Sequence, residues 1–133
     1  MKRYFLDTCV LLWLLEDNRR IRKISKSIAD YEGNYAISME VLKEYLYLLA
    51  FGHLQTKIGY DQLLRKLVSL DIEICSFEKK HLKYLAEMPT FTKHTDPADR
   101  NIIAHAIADK RTLISGDGNF HLYEKYGLKL LAV

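Results

Sequence analysis

Short apolar runs alternate with longer stretches of helical periodicity along this chain. Residues 3–6, 34–37, 72–75, 112–115 and 128–132 are brief and mostly apolar, and they read as strands. Helical spacing falls between them, at 10–16, 20–31, 39–51, 60–70, 77–86 and 96–109. In 20–31 the side chains of Ile21, Ile24 and Ile28 share one side, and in 39–51 Val41, Tyr45, Leu48 and Leu49 form the apolar stripe. Ser38 stands where a helix N-cap is wanted, Gly52 and Gly59 bracket a turn, and Gly127 precedes the last strand. Residues 88–94 form the longest irregular piece. Strands alternating with helices predict an α/β fold: a parallel sheet of four to five strands with helices on both faces. Ligands of such sheets sit at the carboxyl ends of the strands, beside the point where strand order reverses.

Composition narrows the class. At 133 residues with 49% hydrophobic side chains, a single domain over 1–133 with one core is expected. A net charge of +3 permits a polyanionic partner without demanding one. The longest apolar run, residues 9–15, is too short to span a membrane and ends in Glu16 and Asp17, so no membrane role and a cytoplasmic location are expected. Cys9 and Cys75 lack metal-ligand spacing and read as buried thiols.

Chemistry enters with four carboxylates that this topology gathers at one edge: Asp7 and Asp117 after strands, Asp99 in the first turn of a helix, and Glu44 in the second turn of another. Each also has an ordinary explanation. Asp7 can be a helix N-cap and Asp117, between Gly116 and Gly118, a turn residue. Glu44 can be a boundary glutamate, although it lies nearer the apolar stripe than Glu40. Asp96, Pro97 and Asp99 resemble a capped helix start, yet Asp99 shares its face with Ile102, Ile103 and Ala106, where a carboxylate needs a partner. Carboxylates collected in one cleft repel and lose hydration, and a hard divalent cation such as Mg²⁺ or Mn²⁺ is the usual compensation. Arg100 is expected to pair with a carboxylate; His94, His105 and His121 lack metal spacing and suit surface or structural roles. The basic runs at 19–23 and 79–80 suit solvated helix faces or a nucleic-acid path.

Taken in order, several segments resemble the PIN-domain family and, within it, VapC-type toxins. They are Tyr4-Phe5-Leu6-Asp7-Thr8 with Leu11-Leu12-Trp13, then Ala36-Ile37-Ser38 with Glu44 six residues on, then Asp96-Pro97-Ala98-Asp99-Arg100, and Leu113-Ile114-Ser115-Gly116-Asp117. The resemblance implies a three-layer α/β/α PIN-like domain. It implies an Mg²⁺ or Mn²⁺ site built by Asp7, Glu44, Asp99 and Asp117, with Asp96 at its rim. Thr8, Ser38 and Ser115 would orient the acids, and Arg100 would assist. It further implies a metal-dependent endoribonuclease acting on RNA, a cognate antitoxin and a homodimer. Two departures bear on packing and on the geometry of Asp117: Ala98 stands where phenylalanine is frequent, and Gly116 precedes Asp117. A haloacid-dehalogenase-like phosphatase wants a second Asp where Cys9 stands. The alternative is a degenerate PIN-like or receiver-like Mg²⁺-binding module acting without catalysis, against which the retention of all four acids argues.

Overall fold

The computed structural model describes residues 2–16, 19, 33–55 and 58–133, so the helix expected at 20–31 lies outside the described residues. Five strands form one sheet: β1 (Lys2–Leu6), β2 (Gly33–Ser38), β3 (Ile72–Cys75), β4 (Thr112–Ser115) and β5 (Lys129–Ala132). All four pairings are parallel and the order is β3-β2-β1-β4-β5. The helices are α1 (Thr8–Leu15), α2 (Met39–Ala50), α3 (Tyr60–Ser69), α4 (Leu82–Glu87) and α5 (Pro97–Ala108), which with the sheet make a three-layer α/β/α fold. None of the helices among the described residues is long and apolar enough to cross a membrane.

The central strands are buried on both faces, as parallel sheets require, and so read as continuous apolar runs. Phe5, Ala36, Ile37, Leu113 and Ile114 have no exposed surface, and Ile102, Ile103, Ala104 and Ala106 bring α5 into the same core. Each fully buried large side chain of this kind contributes roughly 1.5–3 kcal/mol. Register sets the upper edge: Leu6 pairs with Ile114, Ser38 with Cys75 and Ser115 with Ala132. Asp7 continues β1 by one step, its N–H donating to Ile114 O at 3.0 Å. The chain moves from β1 to β2 and β3 on one side and later to β4 and β5 on the other. Order therefore reverses at β1, and Asp7 sits at that crevice.

Three elements differ from expectation. The helix expected at 77–86 is a 3-10 turn, Lys79–His81, followed by α4. Its start is delayed because Glu78 N–H donates to His81 Nδ1 at 2.7 Å, a reciprocal capping arrangement that holds 78 extended. A 3-10 helix at Phe120–Tyr126 has no counterpart in the periodicity analysis. Cys9 and Cys75 are free but only partly buried. At the foot of α5, Lys110 takes a left-handed φ of 55°, and Arg111 N–H reaches back to Ala106 O at 3.0 Å, closing the helix before β4.

Candidate functional site

Asp7 is the N-cap of α1, with φ −70° and ψ 163°, and only 5% of its surface is exposed. Its Oδ1 accepts the Thr8 N–H at 2.8 Å. Its Oδ2 accepts the Ser115 hydroxyl at 2.7 Å and the Cys9 thiol at 3.6 Å. Ser115 in turn accepts the Asp117 N–H at 3.0 Å, so one hydroxyl at the end of β4 fixes both acids. Asp117 Oδ1 accepts Asn119 N–H at 2.8 Å, an Asx-turn that holds the carboxylate in place despite its flanking glycines. Thr8 Oγ1 donates to Glu44 Oε2 at 2.7 Å, tying the start of α1 to the second turn of α2.

Asp99 is the third residue of α5. Asp96 caps that helix, accepting Ala98 N–H at 2.8 Å and Asp99 N–H at 3.3 Å, with Pro97 at the first helical position. Asp96 is exposed at the rim. Asp7, Glu44, Asp96, Asp99 and Asp117 line one open cleft of about 290 Å³, together with Thr8, Cys9, Trp13 and Gly116. The four acids expected to share an edge are thus brought together, with Asp96 beside them. Ser38 caps α2 through Val41 N–H at 3.3 Å, and it bears on Glu44 only through the helix it starts.

One expectation is corrected and another is narrowed. Arg100 pairs with no carboxylate among the described residues: its Nη1 donates to Pro89 O at 2.8 Å and Tyr123 Oη at 3.3 Å. A guanidinium on the flank of α5 one residue past Asp99 faces the 88–94 loop instead of the cleft. His94 is part of the acidic site rather than the surface. It is 5% exposed, its Nε2 lies 3.1 Å from Asp99 Oδ2, and its Nδ1 lies 2.8 Å from Tyr123 Oη. The loop closes through His94 N–H to Phe91 O, and Phe120 and Tyr123 pack edge-on against the imidazole. Ligand atoms of His94, Asp99 and Asp117 all lie within 4.8 Å of one another. The only signal in the sequence was a histidine just upstream of a capped helix; its seat comes from the 3-10 segment, which periodicity did not reveal.

The electrostatics of the cleft are lopsided. Burial, reinforced by the charges of Asp7 and Asp96, pushes Asp99 up to about 7, against the hydrogen bond and charge of His94. Burial also raises Asp7, opposed by its bonds from Ser115, Thr8 and Cys9 and reinforced by Asp117. It raises Glu44 as well, opposed by Thr8 and reinforced by Asp7, Asp96 and Glu40. None of the side chains lining the cleft among the described residues is Lys or Arg. Carboxylates held this close, with no Lys or Arg lining the cleft among the described residues, fit a divalent cation.

A second cluster lies at the other end of α5. His81, His105 and Asp109 present atoms within 4.8 Å of one another. His81 Nδ1 is occupied as an acceptor, so its Nε2 carries the proton and donates to Asp109 Oδ1 at 2.9 Å. That nitrogen has no lone pair for a metal, and the cluster reads as a closed structural pair.

A family model described as the PIN domain matches residues 4–126. Among solved structures, VapBC2 from Rickettsia felis, bound to a DNA fragment from its promoter, aligns with a TM-score of 0.72 at 24% identity, covering 98% of each chain. VapBC-1 from nontypeable Haemophilus influenzae aligns with a TM-score of 0.72 at 16% identity, covering 98% of this chain and 97% of that one. A toxin–antitoxin complex from Klebsiella pneumoniae aligns with a TM-score of 0.66 at 18% identity, covering 97% and 96%. At these identities the likeness is one of fold. No curated protein matches the chain.

Proposed function

The chain belongs to the PIN-domain family, and we propose that it is a metal-dependent endoribonuclease, the toxin of a toxin–antitoxin pair. The observation that carries this reading is the cleft lined by Asp7, Glu44, Asp99 and Asp117 with no cationic side chain in its wall among the described residues. The whole of 1–133 acts as one nuclease domain in the cytoplasm. The toxin assignment draws on the fold shared with VapBC proteins and with a toxin–antitoxin complex. A cognate antitoxin and a homodimer follow from it as partners.

Asp7, Glu44, Asp99 and Asp117 would hold Mg²⁺ or Mn²⁺. Bound there, the ion supplies an activated water and offsets charge building on the phosphate. The protein's own groups prepare the site. Ser115 aims Asp7 and the backbone of Asp117. Thr8 holds Glu44 with one carboxylate oxygen engaged, leaving the other for the ion. His94 braces Asp99 from the side, and Tyr123 braces His94. Such outer partners typically change metal affinity by about 10–100-fold when removed. Asp96 adds charge at the rim where the RNA enters.

The test is cleavage of a mixed RNA pool with Mg²⁺, Mn²⁺ or EDTA, comparing wild type with Asp99→Asn. Metal-dependent cutting that leaves 5′-phosphate ends and is lost in the variant is the expected result. Full activity of Asp99→Asn, or of Asp7→Asn, would remove this site from the reaction.

A further inference from the structure

His94 stands beside Asp99, and distance alone qualifies it as a metal ligand: one atom each of His94, Asp99 and Asp117 lie within 4.8 Å of one another. Arg100 poses the opposite problem. It follows Asp99 in the chain, pairs with no carboxylate among the described residues, and has no step in the nuclease reading. One hydroxyl joins the two. Tyr123 Oη lies 2.8 Å from His94 Nδ1 and accepts Arg100 Nη1–H at 3.3 Å. Three separate stretches meet at that oxygen: the 88–94 loop, the start of α5 and the 3-10 segment Phe120–Tyr126.

Donors and acceptors fix the direction of this series of bonds. A guanidinium carries N–H groups and no lone pair, so at the Arg100 contact Tyr123 Oη can only accept. Tyr123 is fully buried, and its own O–H needs an acceptor. The acceptor it meets among the described residues is His94 Nδ1. Nδ1 is then the bare nitrogen of a neutral imidazole, and Nε2 carries the proton. Nε2–H donates to Asp99 Oδ2 at 3.1 Å and has no lone pair for an ion. Phe120 packs edge-on against the imidazole at 5.4 Å, and Phe91 against Tyr123 at 5.2 Å, so both rings are held in this setting. We propose that His94 serves the cation as a donor that orients Asp99, not as a ligand, and that Arg100 and Tyr123 are positioning residues that set metal affinity through it; this rests on the metal-dependent reading of the cleft. Asp99 Oδ2 stays on His94, which leaves Oδ1 for the ion.

The direction is read in the wild-type protein by ¹⁵N NMR of its histidines at mildly alkaline pH, without metal and with saturating Mg²⁺. A bare Nδ1 and a protonated Nε2 at His94 are expected in both. A proton on Nδ1, or loss of the Nε2 proton on adding Mg²⁺, makes His94 a ligand and overturns the proposal. Calorimetry with Mn²⁺ then tests the relay as a unit. His94→Ala and Tyr123→Phe are each expected to raise Kd by about tenfold or more, and the double variant no further than His94→Ala alone. His94→Gln keeps an N–H donor and should regain most of the loss. Effects that add, or a Kd unmoved by Tyr123→Phe, overturn the relay. The NMR experiment needs no variant, so a misfolded one leaves it decisive. If these results hold and the wild type cuts no RNA, the nuclease reading falls and the relay stands. If it cuts RNA while the effects add, the relay falls alone. A wild type that binds no Mn²⁺ overturns both.

Discussion

At its first turn α5 presents Asp99 to other carboxylates; at its last turn it presents His105, with Asp109 as its C-cap, to His81. The helix dipole favours an anion at the first position and opposes one at the second. The outcome is the reverse. Asp99 is raised to about 7, because burial and the charges of Asp7 and Asp96 outweigh His94. Burial would raise Asp109 too, but the hydrogen bond from His81, with the charges of His105, His81 and Lys80, outweighs it and the group is lowered. At each end the balance of burial, neighbouring charges and hydrogen-bond donors decides the state of the carboxylate, and the macrodipole is a smaller influence. One end of the helix is electrostatically closed; the other gathers carboxylates, with no Lys or Arg lining its cleft among the described residues.

The sharpest way to break this contrast is activity. Asp99→Asn should lower Mn²⁺-dependent RNA cleavage by at least about 100-fold, whereas Asp109→Asn should leave initial rates within about twofold. Comparable losses in both would mean the lower cluster is not merely structural.

Stability should move in opposite directions at the two ends. Asp109→Ala strips His81 Nε2–H of its acceptor and should cost about 2–3 kcal/mol in denaturant unfolding. Asp99→Asn removes a buried like charge and should stabilise the metal-free protein by about 1–2 kcal/mol at pH 8. Mg²⁺ should raise the melting temperature of the wild type and leave that of the variant unchanged. Destabilisation by both variants would refute the idea of an uncompensated cleft.

pH separates the ends more finely. Burial, with the neighbouring charge of His81, lowers His105 from 6.5 to about 4, so the folded state binds fewer protons than the unfolded one in that window. Stability from this group is complete above 6.5 and is lost as pH falls toward 4. Asp109, lowered below 3.8, adds a second loss below that value. Asp99 titrates with the opposite sign: its contribution is present below 3.8 and fades as pH rises through about 7. The comparison therefore belongs in the Asp99→Asn background. There, His105→Leu should flatten the acid limb between 6.5 and 4 by roughly 1–2 kcal/mol; an unchanged limb would assign it to another group.

The smallest effect is expected at Thr8→Val. Losing the 2.7 Å bond to Glu44 should cost about 0.5–1.5 kcal/mol of stability and weaken Mn²⁺ binding by roughly tenfold, read by calorimetry. Unaltered binding would show that Glu44 holds its position without help.

Much of this arrangement was legible in the chain. All five strands were found by their short apolar runs, and the two twelve-residue helices began where their caps said they would, 39–50 after Ser38 and 97–108 after Asp96 with Pro97. Asp7, Glu44, Asp99 and Asp117 were placed at one edge by the alternation of strand and helix, and they do line one cleft, with Asp96 at its rim. Arg100 was misplaced, and His94 was left open between a surface and a structural role, because Tyr123, which holds both, lies more than twenty residues along the chain. The capping by His81 that delayed α4 is likewise a side-chain event that helical periodicity does not register.

Local order follows from properties each segment carries alone: apolar period, a capping aspartate, a proline at the first helical turn. Those properties fix which residue types reach the carboxyl edge of the sheet. Which carboxylate is compensated is settled elsewhere, by donors that arrive only when the sheet assembles. Ser115 reaches Asp7 across 108 residues of chain, Thr8 reaches Glu44 across 36, and His81 reaches Asp109 across 28. Hydrogen bonds act over about 3 Å in space and are blind to sequence distance. The difference between a closed ion cluster and an open acidic cleft is therefore a property of the folded molecule.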